Sequence, residues 1–521
     1  MPMRARFILT AAALLMTTAA LAGVVREIRV EPVNKFTGRG NHGELLMTAT
    51  VVVDGTADGR TLQALTVSAA GTTSFADVDR FYAVVEAADG VTLSHNEFRP
   101  KGGKDVRIKI NGAIPAEGVL KVRIYADVAD NAREGNRIAA ELKSIEVGGR
   151  ISAPASHVAA SREILLCRKL LYAPGDYGSR NWRIPALRAL PDGSLLAVND
   201  KRKHHEGDLP GDIDIVASRS TDNGRTWSKP VTIAEGRGYK KGYGDPAIAV
   251  TADGSEVICA FVGGNGLWAS TADDPQRSYI SRSTDGGRTW SQPEDITPSI
   301  WGAGAENPAC RNYTYSFFGS GNGLTLTRGE HAGRILFAAA MGPAKNLNNH
   351  AVYSDDNGRT WHVSELAFEG GDEAKIVELT DGRLLMSVRR NGRRGYACSS
   401  DGGQTWYGHG QWPEIDINAC NGDMIRCAAT DRGDDGNILL HSVPDHRSRR
   451  NVSVFISRDE GATWPEKRVV CPYESVYSSL TMLPDGTVGI YLEENPTAAG
   501  CELWYMNFSM EWLTGRPTTT R

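Results

Sequence analysis

Short apolar runs divided by Asp-Gly turns set the pattern of the chain after about residue 160. The runs 195–198, 257–261, 384–388 and 488–491 each follow an Asp-Gly pair: Asp192-Gly193, Asp253-Gly254, Asp381-Gly382 and Asp485-Gly486. Apolar runs of this length flanking Asp-Gly predict β-hairpins, not helices. A second turn signal alternates with the first. The phrase Ser-x-Asp-x-Gly-x-Thr-Trp occurs five times, beginning at Ser220, Ser283, Ser354, Ser399 and Ser457 and ending at Trp227, Trp290, Trp361, Trp406 and Trp464. In each copy Asp accepts from the backbone ahead of it, Gly supplies a positive φ, and Trp is an apolar anchor. The unit is strand, Asp-Gly turn, strand, strand, Asp-phrase turn, strand: four antiparallel strands, the content of one propeller blade. Five marked units and one unmarked unit predict a six-bladed β-propeller over residues 161–521. The copies are unevenly spaced, from 45 residues between Asp356 and Asp401 to 71 between Asp285 and Asp356, which implies long insertions at one end of the blades.

Residues 23–150 carry no copy of the phrase, no Cys and no Trp. Alternating runs at 44–53, 81–85, 106–110 and 120–128, with polar turns between, predict a small antiparallel β-sandwich. Residues 129–141, richer in Ala and charge, suggest a short helical turn, 143–149 a closing strand, and the Ala/Ser-rich stretch 151–160 a linker. The expected fold class is therefore all-β, a six-bladed propeller preceded by an accessory sandwich that is a candidate for carbohydrate binding. Residues 1–22 read as a signal peptide: Arg4 and Arg6, an apolar run over 7–20, and Ala20-Leu21-Ala22 before Gly23. The chain is thus expected to be exported, to the periplasm or beyond, without membrane insertion.

Composition narrows the partners. With 58 Lys and Arg against 62 Asp and Glu, the net charge of −4 offers no electrostatic footprint for nucleic acid. Eight Cys lie after residue 160 with no C-x-x-C and no metal-ligand spacing; they read mainly as small core residues, with a disulfide left open. His204, His205, His441 and His446 have no metal spacing either and read as loop residues. The loop Gly319-Ser320-Gly321-Asn322-Gly323 opens no helix, so it is no phosphate loop, and is expected at the propeller mouth.

Candidate chemistry lies between the copies of the phrase. Arg183 in Trp182-Arg183-Ile184-Pro185, Arg389-Arg390 after the run 384–388, and Arg447, Arg449 and Arg450 before the run 452–456 each stand at a strand end in a different unit. A radial fold can bring three such guanidinium groups to one axis, where they would grip an anion, a carboxylate fitting best through its bidentate geometry.

These motifs, in this order, resemble the exo-α-sialidases of the bacterial and animal neuraminidase type, over residues 160–512. The resemblance rests on the five Asp boxes, the Arg-Ile-Pro at Arg183 and the sequence of later motifs; Trp182 departs from the Phe or Tyr usual there. It implies that Arg183, Arg389 and Arg449 form the triad for the sialic acid carboxylate, with Arg450 the rival of Arg449. It implies Asp208 as general acid/base, with Asp212 and Asp214 as competitors, Tyr477 as nucleophile with Tyr473 as runner-up, and Glu373 as the partner of the tyrosine. Arg202 and Asp245 are similar to residues that contact the sugar. The implied reaction is retaining hydrolysis of terminal α-linked sialic acid from glycoproteins, glycolipids and oligosaccharides, with no cofactor and no metal. Transfer on the same site and a non-catalytic glycan-binding propeller are the alternatives; linkage preference and oligomeric state are not legible. The residue types suit the chemistry: sialic acid carries a carboxylate on its anomeric carbon, which repels a carboxylate nucleophile but not a phenol, and a phenol needs a base beside it.

Overall fold

The computed structural model describes residues 24–54, 61–115, 118–343, 346–417, 419–497 and 500–515. The expected signal peptide lies outside them. The described chain divides into two compact units, the first through residues 24–34, 42–129 and 136–162 and the second through 35–41, 130–135 and 163–515.

Strands fill the first unit. Val24–Pro32, Glu44–Asp54, Val119–Val128, Val78–Ala87 and Thr92–Phe98 form one antiparallel sheet in that order. Arg137–Val147, Thr61–Ser68 and Val106–Ala113 form part of another. Alternate residues are buried along these strands, as in Val119–Val128, so one face of each sheet makes the core. No helix forms over 129–141: residues 130–136 are turns and irregular backbone, and Arg137 already begins a strand. The stretch expected as linker contributes residues at both ends to strands, Arg150–Ser152 and Ala159–Leu165.

In the second unit the four-strand arithmetic is met sheet by sheet. The first sheet is Asn181–Ala189, Leu195–Arg202, Ile213–Ser220 and Val231–Ala234. The second is built on Tyr243–Val250, Val257–Gly264, Gln276–Ser283 and Glu294–Asp295, and the third on Tyr315–Phe318, Ile335–Gly342, Asn348–Ser354 and His362–Val363. Ala374–Glu378, Leu384–Val388, Gly392–Ser399 and Tyr407–Ile417 make the fourth. The rest is a seven-stranded sheet in which two four-stranded sets share one 17-residue strand, Glu466–Met482. Its first part pairs with Arg450–Ser457 and its second, from Ser475, with Val488–Thr497. The last set is completed from the other end of the unit: Cys167–Tyr172 pairs antiparallel with Gly500–Phe508.

The five Asp phrases fold alike. Asp222 accepts from the Thr226 hydroxyl at 2.6 Å and backbone at 2.9 Å, and the Ser220 hydroxyl accepts from the Gly224 amide at 2.9 Å. The same bonds recur at Asp285, Asp356, Asp401 and Asp459. Each phrase also wedges onto another sheet. A Cβ on Gly287, Gly358, Gly403 or Gly461 would collide with Leu196, Ile258, Leu336 or Leu385 of the preceding sheet, and one on Gly224 with Tyr505 of the last. Thus the phrase does more than turn its own hairpin; it sets the spacing between sheets.

Candidate active site

Two strand ends carry the core of the site. Ala374 pairs with Val388 across a hairpin, and the ladder continues one step outward, where the Arg389 amide donates to the Glu373 carbonyl at 2.8 Å. Their side chains therefore emerge together at the sheet end. Tyr477, 7% exposed, comes from the shared strand just where it passes from one four-stranded set to the next. Its hydroxyl donates to Glu373 Oε2 at 3.0 Å and accepts from Arg389 Nη1 at 2.8 Å, and Arg389 also donates to Glu373 Oε2. The phenol thus sits between a base and a cation. Burial pushes its pKa well above the ordinary value and Glu373 pushes it further, against the pull of Arg389.

Arg183 and Arg449 close over this triangle. Their guanidinium carbons lie 5.2 Å and 5.8 Å from the centre of the Tyr477 ring. Arg183 is aimed by a bulge between Arg183 and Ala186, in which Ile184 takes φ +61°, a costly conformation for a β-branched residue. The next inner strand repeats the device in Gly244-Asp245-Pro246, with Asp245 at φ +59° and a bulge from Gly244 to Ala247. Each bulge precedes or carries a site residue, which is why a Pro stands inside an inner strand. Arg449 donates to the Ala419 carbonyl at 3.3 Å. Arg450 is not part of the cavity wall, and Arg447 is exposed and paired with Asp416.

Asp208 stands at the opening with its side chain 77% exposed, 2.7 Å from Arg202 Nη2. Loss of water contact opposes its charge, but Arg202 and then Arg183 outweigh this and hold its carboxyl below the ordinary range. Arg202 is buried and also grips Asp200 at 2.9 Å and 3.2 Å. Burial pushes Asp200 up to about 6 and Asp245 well above the carboxylate range, Asp200 itself adding to the shift at Asp245. Asp212 and Asp214 turn away to Lys203, and Tyr473 is half-buried, its hydroxyl accepting from Arg168 Nη2 at 3.4 Å.

Arg183, Asp208, Asp245, Glu373, Arg389, Arg449 and Tyr477 line one cavity of about 450 Å³. Arg202 lies behind Asp208. Among the described residues no group of three or more His, Cys, Asp or Glu is arranged to hold a metal ion.

Glu493 is a site residue that sequence reasoning missed. Its fully buried carboxylate accepts from Arg183 Nε at 2.6 Å, from the Ile184 amide at 2.8 Å and from the Tyr477 amide at 3.3 Å. One anion thus fixes both the cation and the strand that carries the phenol. The signal was present: Glu493-Glu494 closes an apolar run in the last set, where two adjacent acids have no reason to be buried unless paired. Asp372, raised by burial and by Glu373 to about 6, adds an ion pair to Arg389 Nε at 3.2 Å. Lys375, buried two residues beyond Glu373, donates to Asn421 Oδ1 at 2.8 Å, and burial lowers its amine to about 8.

Two expectations are corrected. The glycine-rich loop is not at this mouth. Gly321–Asn322 is a short strand parallel to Ala247 and Ile248, and a Cβ on Gly319 would strike the Ala374 carbonyl, so its glycines serve close packing. His441 is no loop residue: it is fully buried, with Nε2 2.7 Å from Ser387 Oγ, and burial drives its pKa well below the ordinary value. All eight cysteines are free thiols, six of them buried.

A model of the BNR repeat-like domain family matches residues 193–490, more than half of the chain. The chain belongs to the bacterial-type sialidase family with BNR repeats. A sialidase of Micromonospora viridifaciens is 35% identical over 373 residues, 68% of this chain and 55% of the relative. A sialidase of Bacteroides fragilis is 30% identical over 345 residues, 62% of this chain and 61% of the relative. The chain thus spans little more than half the length of these curated relatives. In fold it is similar to the Hadza microbial sialidase Hz136, with a TM-score of 0.72, 22% identity, and coverage of 93% of this chain and 99% of that one.

Proposed function

We propose that this BNR-repeat protein is a retaining exo-α-sialidase acting on terminal α-linked sialic acid of sialylated glycans through a tyrosyl-enzyme intermediate. The observation that carries the reading is the hydrogen-bonded triangle of Tyr477, Glu373 and Arg389 beneath two further guanidinium groups. Arg183, Arg389 and Arg449 would receive the substrate carboxylate, whose bidentate geometry suits them. Glu373, already accepting the phenol proton, takes it as Tyr477 Oη attacks the anomeric carbon. Asp208 gives its proton to the departing glycosidic oxygen and then removes one from the water that cleaves the tyrosyl bond. The free site holds Asp208 ionised beside Arg202 and Arg183. An incoming carboxylate offsets Arg183, so substrate itself favours the protonated acid that the first step needs. Arg202 and Asp245 are assigned to positioning at the sugar.

In this reading the six four-stranded sets form a closed six-bladed propeller. Its support is the last set, completed by Cys167–Tyr172, and the wedging of each Asp phrase onto a neighbouring sheet. The two sheets of the first unit support an accessory β-sandwich over residues 23–150.

Release of 4-methylumbelliferone from its α-sialoside tests the assignment. Tyr477→Phe is expected to lower kcat on the order of a thousandfold or more. Full activity in that variant, or none in the folded wild type, rejects the mechanism. Arg449→Gln is expected to lower kcat/KM about a hundredfold through the lost charge-assisted bond; an unchanged kcat/KM removes Arg449 from the triad. A second reading, transfer in place of hydrolysis, draws on the fold likeness to the leech intramolecular trans-sialidase (TM-score 0.60, 18% identity). NMR of the products separates free sialic acid from anhydro or transfer products.

A further inference from the structure

The strands that form the catalytic cavity line a second cavity farther along their length. Arg183 leads to Arg188, Glu373 to Val377 and Glu378, and Tyr477 to Thr481, around a space of about 270 Å³. The bulge at Ile184 shifts the strand's alternation, which is how two arginines five residues apart can both line cavities.

Charge in this second cavity is not balanced. Arg328 is paired with Glu378 at 2.8 Å and Asp431 at 2.6 Å, and Arg426 with Glu460 at 2.7 Å. Glu378 is further saturated by the amides of Thr327 and Arg328 and by the Thr327 hydroxyl. Arg188 is different: it makes no hydrogen bond or ion pair with any described residue. The carboxylate whose field it feels, Asp423, is already engaged by the Leu480 and Met424 amides, the Ser479 hydroxyl and Asn322. Burial acts against the Arg188 charge and lowers its pKa. Arg188 is half-buried in the cavity wall, and a guanidinium without a protein partner there presents its donor fork to an oxyanion. A donor stands close by on the adjoining strand. Thr481 is buried, and its Oγ1 accepts from the Ala189 amide at 2.9 Å, so its own proton is uncommitted. Arg432 lies at the exposed rim.

We propose that this cavity binds a small oxyanion, a carboxylate or a phosphate, held by the Arg188 fork with the Thr481 hydroxyl as a further donor. Arg188 belongs to the first sheet and Thr481 to the last four-stranded set, so the anion ties together the two ends of the second unit. The site is separate from the catalytic arginines and its occupancy raises stability.

The test is thermal unfolding of the full chain while inorganic phosphate is titrated at constant ionic strength. Acetate is run in parallel to separate a carboxylate preference from a phosphate one. Wild type, Arg188→Gln and Arg449→Gln are compared, the last to remove uptake by the catalytic cavity. Wild type and Arg449→Gln are expected to gain about 2 °C at tenfold saturation, and Arg188→Gln to gain nothing. A gain that survives in Arg188→Gln, is lost in Arg449→Gln, or is missing from wild type with both anions overturns the proposal. Should Arg188→Gln fail to fold, wild-type crystals soaked in bromide decide it: an anomalous peak beside Arg188 is expected, and its absence there rejects the site.

Discussion

Arg202 holds two carboxylates, and that sets the charge state of the one at the cavity mouth. In the proposed mechanism Asp208 must carry a proton to act as an acid, so kcat/KM is expected to fall as pH rises through its pKa in the free protein. Arg202 lowers that pKa. Arg202→Gln is therefore expected to move the falling limb of kcat/KM to higher pH, and a pH–rate profile reads it; a limb that stays in place separates Arg202 from Asp208. At this scale the sequence was uneven as a guide. Arg183 and Arg389 were legible because each stands near a strand end close to an unusual neighbour, a Pro or a second Arg; Tyr477 was reached through the family resemblance. Glu493 was not legible. Its role depends on meeting Arg183 across 310 residues of chain, and nothing in its own neighbourhood specifies that partner. The choice between Arg449 and Arg450 was likewise hidden, because one step along a strand reverses the side a residue faces.

The Asp phrase is the element on which the repeats depend, and it is chemically fragile in two ways. Both residues after its Asp lie at positive φ: Asn223 and Gly224, Gly286 and Gly287, Asn357 and Gly358, Gly402 and Gly403, Glu460 and Gly461. Asn or Gly fills the first position in four copies. Glu460 in the fifth is held there by bonds from Arg426 and the Thr380 amide. Gly461→Ala should destabilise by about 2 kcal/mol or more, since φ is +82° and the new Cβ meets Leu385. A denaturation midpoint within experimental error of wild type would contradict this. The second weakness is acid. Asp285 and Asp356 are both held to about 2: burial acts against their charge, but the bonds they accept prevail. Their folded pKa lies below the unfolded one, so their contribution is complete above about pH 4 and is lost as pH falls toward 2. Asp200 and Asp372, raised to about 6, act in the opposite sense: their ionisation weakens the fold as pH rises from about 4 to 6. Asp372→Asn should reduce the fall in stability across that upper window, Asp200 supplying what remains, while leaving the acid limb unchanged, as equilibrium unfolding at a series of pH values would record. The hairpins were plain in the sequence because turn chemistry is local. The 17-residue strand that serves two sets was not, since no residue within it marks the change of partner.

The pairing of the unit's first strand with its last is a property that no single repeat contains. The one set without an Asp phrase is the last, and it borrows its outer strand, Cys167–Tyr172, from the start of the unit. The seam has a core of its own, in which Tyr172, Trp182, Leu187, Leu195, Tyr491, Leu503 and Tyr505 pack together. Tyr172 is part of it. The ring is 2% exposed and stacks on Trp182 at 4.1 Å with an 11° tilt, and its hydroxyl meets Ser218 Oγ at 2.5 Å, so a residue of the last set grips two strands of the first. Two substitutions separate the packing from the hydrogen bond. Tyr172→Phe keeps the stack and is expected to cost about 1 kcal/mol. Tyr172→Ala opens the seam and is expected to cost about 3–5 kcal/mol. If the seam is what closes the second unit, Tyr172→Ala should also lose hydrogen-exchange protection selectively in Asn181–Ala189 and Gly500–Phe508, while the strands of the third and fourth sheets keep theirs. Uniform loss across all sheets would mean instead that the unit opens as one body, and that its ends are no weaker than its middle.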